Sequence, residues 1–156
     1  MPRRKFQRQL GQFGDKVIIA RKAGASINIL ARALMALAIT ARVDLNAEQV
    51  AALSLLVGGR ISQNQSVLDA HGRDESAFPP VQPSAVVTVK STEEVSKVLA
   101  YCNQEKIPVV AFGVGSSLEG HVLPLFGGIS LDISEMDQIL AISPDDLTVK
   151  VQAGVK

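Results

Sequence analysis

The chain of 156 residues contains one cysteine, two histidines and no tryptophan. Its one cysteine, Cys102, excludes an internal disulfide and any zinc site built from several cysteines. Its two histidines, His71 and His121, leave little for a His-rich metal site, and we predict no metal centre. Hydrophobic residues make up 47% and charged residues 20%, which is typical of folded proteins and not of disordered or low-complexity chains.

Long hydrophobic runs are also lacking near the N-terminus. The longest uncharged run there, residues 33–41, is far below the ~20 residues that a transmembrane helix needs. Arg32 interrupts the apolar stretch that precedes it, which also argues against a secretory signal. We therefore do not expect a transmembrane helix in this part of the chain.

The net charge of +1 conceals an uneven distribution. Residues 1–43 hold nine of the 16 Lys and Arg residues and one of the 15 acids, a net charge of +8. Residues 44–156 hold the rest, a net charge of −7. Apolar residues spaced by three and four in the basic part predict an amphipathic helix, and they are Ile27, Leu30, Leu34, Leu37 and Ala41.

Three interpretations of the basic front segment stay open. The segment could be a helix that docks on the body of the protein, a mitochondrial transit peptide, or an anchor on a membrane surface. Nucleic-acid binding is disfavoured, because no aromatic residues interleave with the basic ones after Phe13. We expect a protein of the bacterial cytoplasm or of the periphery of the inner membrane, with the mitochondrion as the alternative.

A proline cluster divides the remainder of the chain. Pro79, Pro80 and Pro83 cannot continue a helix and predict an extended linker. We therefore predict a basic extension over residues 1–43, a helical lead-in with a Pro-rich linker over 44–80, and a further folded domain over 81–156.

The residues after the linker predict a βαβ unit. Residues 85–90 are rich in β-formers, and Ser91 with Glu94 forms a capping-box pattern that starts a helix. The residues predicted to form the buried stripe of this helix are Val95, Val98, Leu99 and Cys102. Pro108 then leads into a second strand over residues 109–112, so we predict that the two strands are parallel. Three further strands are predicted at residues 129–133, 138–142 and 147–152, and the fold class is α+β.

The loop after the second strand carries the strongest functional signal. Its glycines let the main chain turn sharply and approach a ligand, and successive N–H groups of such a loop can surround one anion. The pattern by itself is a weak indication of a phosphate site, because most such loops are turns. It is neither a dinucleotide-binding fingerprint, whose third glycine would fall at Leu118, nor a P-loop.

The loop is one of an ordered series of segments, which are 83–87, 91–95, 107–110, 113–121, 127–132, 136–139 and 151–154. This series is similar throughout to the FAD-binding domain of the vanillyl-alcohol-oxidase type, also called PCMH-type. It is most similar to the group of D-lactate dehydrogenase (cytochrome) and glycolate oxidase subunits. Residues 117–124 favour the D-lactate dehydrogenase side, and residues 68–75 resemble the segment that leads into the domain. The similarity covers roughly residues 46–156.

The resemblance implies non-covalent FAD as the cofactor. Relatives with covalently bound flavin carry a His where Ser116 stands, and serine cannot form that bond. In this family the matching loop wraps the FAD pyrophosphate, and main-chain donors near its end extend the contact. The implied cofactor-binding residues are Gly113, Val114, Gly115, Ser116, Ser117, Gly120 and His121.

The resemblance also implies an activity, the oxidation of a D-2-hydroxy acid, with D-lactate to pyruvate as the first expectation. Cytochrome c or a quinone would accept the electrons. The second FAD loop and the cap domain with the catalytic and metal-binding residues would lie beyond Lys156, so we name no catalytic residue and expect the chain alone to be inactive. A glycolate oxidase-type subunit, and a non-catalytic truncated remnant or split-subunit piece, are the alternatives.

The remaining chemically capable residues have plainer interpretations. We expect His71 in a surface segment, with a contact to the flavin domain as the alternative. His121 is expected either in a structural hydrogen bond or in contact with the ligand. Cys102 falls on the apolar side of its helix and predicts a buried, inert thiol. Asp132 and Asp137 are expected to be strand-end and turn residues rather than acid–base partners.

Overall fold

The structure, a computed structural model, describes residues 42–156. The amphipathic helix that the sequence predicts between Ile27 and Ala41 lies outside the described residues. In chain order the described elements are α1 (Ala47–Leu56), β1 (Ile61–Ser62), α2 (Gln65–His71), β2 (Ala85–Thr88), α3 (Thr92–Glu105), β3 (Val109–Phe112), β4 (Ile129–Asp132), β5 (Ile139–Ser143) and β6 (Thr148–Val151).

The two longer helices begin at side chains that cap their free N–H groups. At α1 the Asn46 Oδ1 accepts from the Gln49 N–H at 2.8 Å, and the Gln49 Oε1 accepts from the Asn46 N–H at 3.1 Å. At α3 the Ser91 hydroxyl accepts from the Glu94 N–H at 3.3 Å. The carboxylate of Glu94 accepts from the N–H of Lys90, one residue before the cap, at 2.8 Å. Both helix starts therefore lie where local capping chemistry predicts them.

Four strands form the main sheet, in the order β1-β2-β4-β3. The strands β2, β4 and β3 are parallel, and β1 runs antiparallel to β2 at the edge. The predicted strand–helix–strand unit is present as β2, α3 and β3, but β4 lies between its two strands. In this register Phe112 at the end of β3 lies opposite Asp132 at the end of β4.

The last two strands form a separate sheet. Among residues 42–156, β5 and β6 pair with each other as an antiparallel hairpin and with no other strand. A turn at Pro144 joins them, and the Leu147 N–H donates to the Pro144 carbonyl at 3.2 Å. The Gly154 N–H donates to the Met136 carbonyl at 2.8 Å and attaches the end of the hairpin to the segment after β4.

The hydrophobic core lies on one face of the main sheet, under α1 and α3. Leu53 of α1 and Val98 of α3 are fully buried there, together with Ile129 and Leu131 of β4. Leu99, which the helical spacing also assigns to the buried stripe, is 44% exposed. Since neighbouring strand residues point to opposite faces, the alternate β4 residues face away from this core, toward α2.

The proline segment packs against the sheet rather than standing free of it. Val81 and Pro83 are buried, and the Val81 N–H donates to the Gly72 carbonyl at 2.7 Å. The segment before it also contributes to the sheet, because β1 pairs with β2. The division of the chain between residues 80 and 81 stays a prediction.

Within residues 42–156 no helix combines the length and the apolar character that crossing a bilayer would demand.

The thiol of Cys102 is buried as the sequence predicts, and burial raises its pKa to about 11. We expect an aromatic disulfide reagent at pH 8 to modify the native thiol at least about 100-fold more slowly than the thiol of the urea-unfolded chain, since the reactive thiolate is scarce and shielded. The rates are read from the absorbance of the released thiolate. Equal rates for the native and unfolded chain would contradict the burial of Cys102.

Candidate functional site

The glycine-rich loop begins where β3 ends, at the carboxyl edge of the parallel strands. Residues 113–121 follow directly after Phe112. The neighbouring β4 ends at the same edge with Asp132, because the two strands are parallel and in register. This edge of an open parallel sheet is the usual place for a ligand.

Two glycines give the loop its shape and leave room in front of it. Gly115 has φ +71°, and a Cβ there would lie 2.8 Å from Cζ of Phe112, so only glycine permits this turn over the aromatic ring. A Cβ at Gly113 would meet nothing within 4 Å, so the space beside this residue is open to a ligand.

The first half of the loop presents unused hydrogen-bond donors. Among the hydrogen bonds of residues 42–156, the N–H groups of residues 114–118 have no protein acceptor. Several such amides in succession, in a turn containing a left-handed glycine, make a site for an anion. The loop therefore suits the phosphate groups of a nucleotide cofactor.

The second half of the loop uses its donors internally. The Ser117 hydroxyl oxygen accepts from the Glu119 N–H at 3.2 Å and from the His121 N–H at 3.4 Å. It also lies 3.2 Å from Nδ1 of His121. The Gly120 amide lies close to the carboxylate of Asp74. Contacts of Gly120 and His121 with the cofactor stay a prediction, and in this structure the His121 amide already donates to the Ser117 hydroxyl.

Asp74 is a site residue that the sequence did not indicate. Its Oδ1 accepts from the Ser76 N–H at 3.0 Å. The hydroxyl of Ser76 lowers the pKa of Asp74, with further help from the Gly120 amide and the Ser117 hydroxyl. The pattern Asp-x-Ser is a local turn signal, but a contact with residues more than forty positions later leaves no local trace.

A buried ion pair lies beneath the loop, between α2 and the sheet. Nε2 of His71 is 3.5 Å from Oδ2 of Asp132, and the two side chains are only 13% and 14% exposed. Nδ1 of His71 is 3.0 Å from the Val67 carbonyl. Both ring nitrogens thus lie near protein oxygens, although the contact of Nε2 with Asp132 is long for a hydrogen bond. Protonation of the imidazole would let both nitrogens donate. The ring of His71 also packs against that of Phe112, with 4.2 Å between the centroids.

The environment of this pair shifts both pKa values toward the charged forms. The hydrogen bond to Asp132 raises the pKa of His71 against the opposing effect of burial. Burial acts to raise the pKa of Asp132, but the hydrogen bonds from His71 and Ser134 outweigh it, and the pKa is lowered. The expectation of a surface position for His71 is therefore wrong. Asp132 is a strand-end residue, as expected, and it also pairs with His71.

Metal binding has no visible basis in this part of the protein. Within residues 42–156, no three side chains of the His, Cys, Asp or Glu types come together as a metal site would require.

The comparison with protein families matches residues 83–156 to the family described as the FAD binding domain. This part of the chain matches that family and has the PCMH-type fold that the sequence indicates. Its cofactor is FAD, which agrees with the open space at Gly113 and with the amides of residues 114–118, for which residues 42–156 provide no acceptor.

The curated relatives to which the chain is similar include D-lactate dehydrogenases and glycolate oxidase subunits. A protein of Danio rerio named probable D-lactate dehydrogenase, mitochondrial, is 37% identical over 95 residues, which is 61% of this chain and 19% of the relative. The glycolate oxidase subunit GlcD of Bacillus subtilis is 40% identical over 73 residues, 47% of this chain and 16% of the relative. The chain thus spans about a fifth of the length of these relatives.

Solved structures share the fold. The structure of p-cresol methylhydroxylase with substrate bound aligns with a TM-score of 0.62 and 26% identity, over 69% of this chain and 22% of that one. An alkyldihydroxyacetonephosphate synthase aligns with a TM-score of 0.64 and 18% identity, over 73% of this chain and 26% of that one, which is a likeness of fold alone.

The ion pair of His71 and Asp132 leads to a prediction about stability and pH. The pKa of His71 is raised in the folded state, so its contribution is fully present below the ordinary histidine pKa and is lost as the pH rises through the folded value. We expect the variant His71→Gln to unfold on the order of 1 kcal/mol more easily than wild type at pH 6, and the difference to vanish near pH 9.

Urea unfolding followed by circular dichroism at both pH values measures this difference. Replacement of the exposed, non-titrating Gln104, as Gln104→Ala, is the control and should show no comparable pH-dependent difference. Asp132 behaves in the opposite sense, since its contribution is present above the ordinary carboxyl pKa and is lost as the pH falls through its lowered folded value. A difference for His71→Gln that grows toward pH 9 would contradict the ion pair.

Proposed function

We propose that this chain provides the pyrophosphate-binding part of an FAD-dependent enzyme that oxidises a D-2-hydroxy acid, with D-lactate to pyruvate as the reaction. The observation that carries the proposal is the run of main-chain N–H groups over residues 114–118, which have no acceptor within residues 42–156 and lie at the carboxyl edge of a parallel sheet. The relatives support the substrate class, because those named D-lactate dehydrogenase come from animal, plant, fungal and bacterial sources.

The loop would bind the pyrophosphate through neutral donors. Residues 113–121 contain no Lys or Arg, so the attraction rests on oriented amide dipoles and on the hydroxyls of Ser116 and Ser117. Gly113 leaves space for the phosphates to approach the backbone. Gly120 and His121 would complete the contact at the end of the loop.

The bound FAD would supply the oxidising chemistry, the acceptance of two electrons from the carbon that bears the substrate hydroxyl. The residues of this chain would bind and orient it. Ser116 makes the attachment non-covalent, because a serine hydroxyl forms no bond to the flavin where a histidine would. The electrons would then pass to cytochrome c or to a quinone, for which the relatives named D-lactate dehydrogenase [cytochrome] are the support.

A second substrate keeps the same chemistry. The matches to glycolate oxidase subunits, at 40% and 39% identity, favour glycolate as the alternative 2-hydroxy acid. A non-catalytic role, as a remnant or as one piece of a split subunit, is the alternative of a different class. It agrees with the short span of the chain on its relatives.

Glycine variants of the loop test cofactor binding. We expect FAD and ADP to bind the chain weakly, and Gly113→Ala to weaken both by about tenfold without lowering the thermal midpoint, because the added methyl group occupies only the open space. Gly115→Ala should lower both affinity and midpoint, since its Cβ would press on Phe112 at a positive φ. Isothermal titration calorimetry measures the affinities.

The control is Gly59→Ala, which places the same methyl group at a positive φ, outside the loop and with nothing within 4 Å. It should lower the thermal midpoint and leave ADP affinity unchanged. Binding of ADP to Gly113→Ala and wild type with equal affinity would exclude the loop as the pyrophosphate site.

The substrate class is tested on the native protein that contains this sequence, captured from its source with an antibody to residues 81–156. Anaerobic addition of D-lactate should bleach the visible absorbance of the bound flavin, and L-lactate should not. Bleaching by glycolate alone would favour the second substrate, and the absence of any flavin in the captured protein would favour the non-catalytic role.

A further inference from the structure

The segment that precedes the buried Pro83 forms a closed loop over residues 73–80, which we call the strap. Its ends are joined by the hydrogen bond from the Val81 N–H to the Gly72 carbonyl, at 2.7 Å. A Cβ at Gly72 would lie 2.8 Å from the Val81 carbonyl oxygen, so glycine is needed for the two ends to approach this closely. The strap therefore has a fixed base, from which its residues reach the glycine-rich loop.

Three contacts join the strap to the second half of that loop. The Glu75 N–H donates to the Ser117 carbonyl at 3.0 Å. The carboxylate of Asp74 lies close to the Ser117 hydroxyl and to the Gly120 amide. The ring of Phe78 covers Gly120, where a Cβ would lie 2.9 Å from the ring. A backbone hydrogen bond, a charge and an aromatic ring thus act on the same few residues.

We propose that the strap positions the pyrophosphate loop and that Asp74 is its positioning residue. The proposal rests on the proposed function, in which residues 114–118 bind FAD. Because the strap fixes Ser117 and Gly120 from one side, the preceding amides are held away from the protein and remain free for phosphate oxygens.

Asp74 acts on the loop and not on the cofactor. A carboxylate in contact with the pyrophosphate would repel it, whereas here the charge accepts from the Ser76 amide and faces the inward-directed Gly120 amide. Its Oδ2 is buried and has no hydrogen-bond partner of good geometry within residues 42–156. The Ser117 hydroxyl carries a single hydrogen, for which His121 Nδ1, at 3.2 Å, and the carboxylate of Asp74 are alternative acceptors.

The test compares Asp74→Ala and Asp74→Asn with Asp145→Asn, which removes a carboxylate charge from the exposed hairpin turn. Amide hydrogen exchange of the ligand-free chain is the first measurement. We expect exchange at residues 117–121 to quicken by about tenfold in Asp74→Ala and by less in Asp74→Asn, which keeps an acceptor oxygen, with no change in β4 or α3. The control should show no change in the loop.

ADP affinity, measured by calorimetry on the same variants, is the second measurement. It should fall by about tenfold in Asp74→Ala and stay unchanged in Asp145→Asn. If wild type binds ADP and Asp74→Ala binds it equally well, the strap is not a positioning device although the proposed function stands. If wild type binds neither ADP nor FAD, the proposed function fails, and the exchange data alone decide whether the strap holds the loop.

A uniform increase of exchange over all described residues in Asp74→Ala would show a general loss of stability and would overturn the proposal. Phe78→Ala provides an independent variant should Asp74→Ala fail to fold. It removes the ring over Gly120 from a partly exposed position, and it should quicken exchange at the same loop residues and at no others.

Discussion

The placement of β4 between β2 and β3 is the constraint on which the rest of the site depends. It brings Asp132 beside Phe112 at the carboxyl edge of the sheet. Asp132 then holds the imidazolium of His71, and the ring of His71 supports the ring of Phe112 from α2. The turn at Gly115 lies over that same ring, so the conformation of the loop is tied to a buried ion pair beneath it.

Two supports therefore act on one short loop, and they act on different halves. Phe112 and the residues beneath it shape the turn at Gly115, and the strap fixes Ser117 and Gly120. A loop whose amides must face an anion without any Lys or Arg of its own depends on such preorganisation, since each donor contributes little by itself. The segment before residue 83, outside the family match, thus contacts the loop that we propose as the cofactor site.

The sequence predicted what depends on local chemistry. The caps at Asn46 and Ser91 lie where their side chains predict them, and the glycine-rich loop follows a strand as expected. The sequence could not predict contacts between distant segments, because no local pattern relates Asp74 to Ser117, or His71 to Asp132. The spacing of the α3 stripe likewise could not show that Leu99 lies beyond the area that the core covers.

The central claim is that the amides of residues 114–118 form the phosphate site, while the Glu119 amide serves the loop itself. Addition of ADP to the isotopically labelled chain, followed by amide NMR, tests it most directly. The account predicts large shifts for the amides of residues 114–118 and small ones for Glu119 and for β5 and β6. Saturable shifts confined to residues outside the 113–121 loop would contradict it.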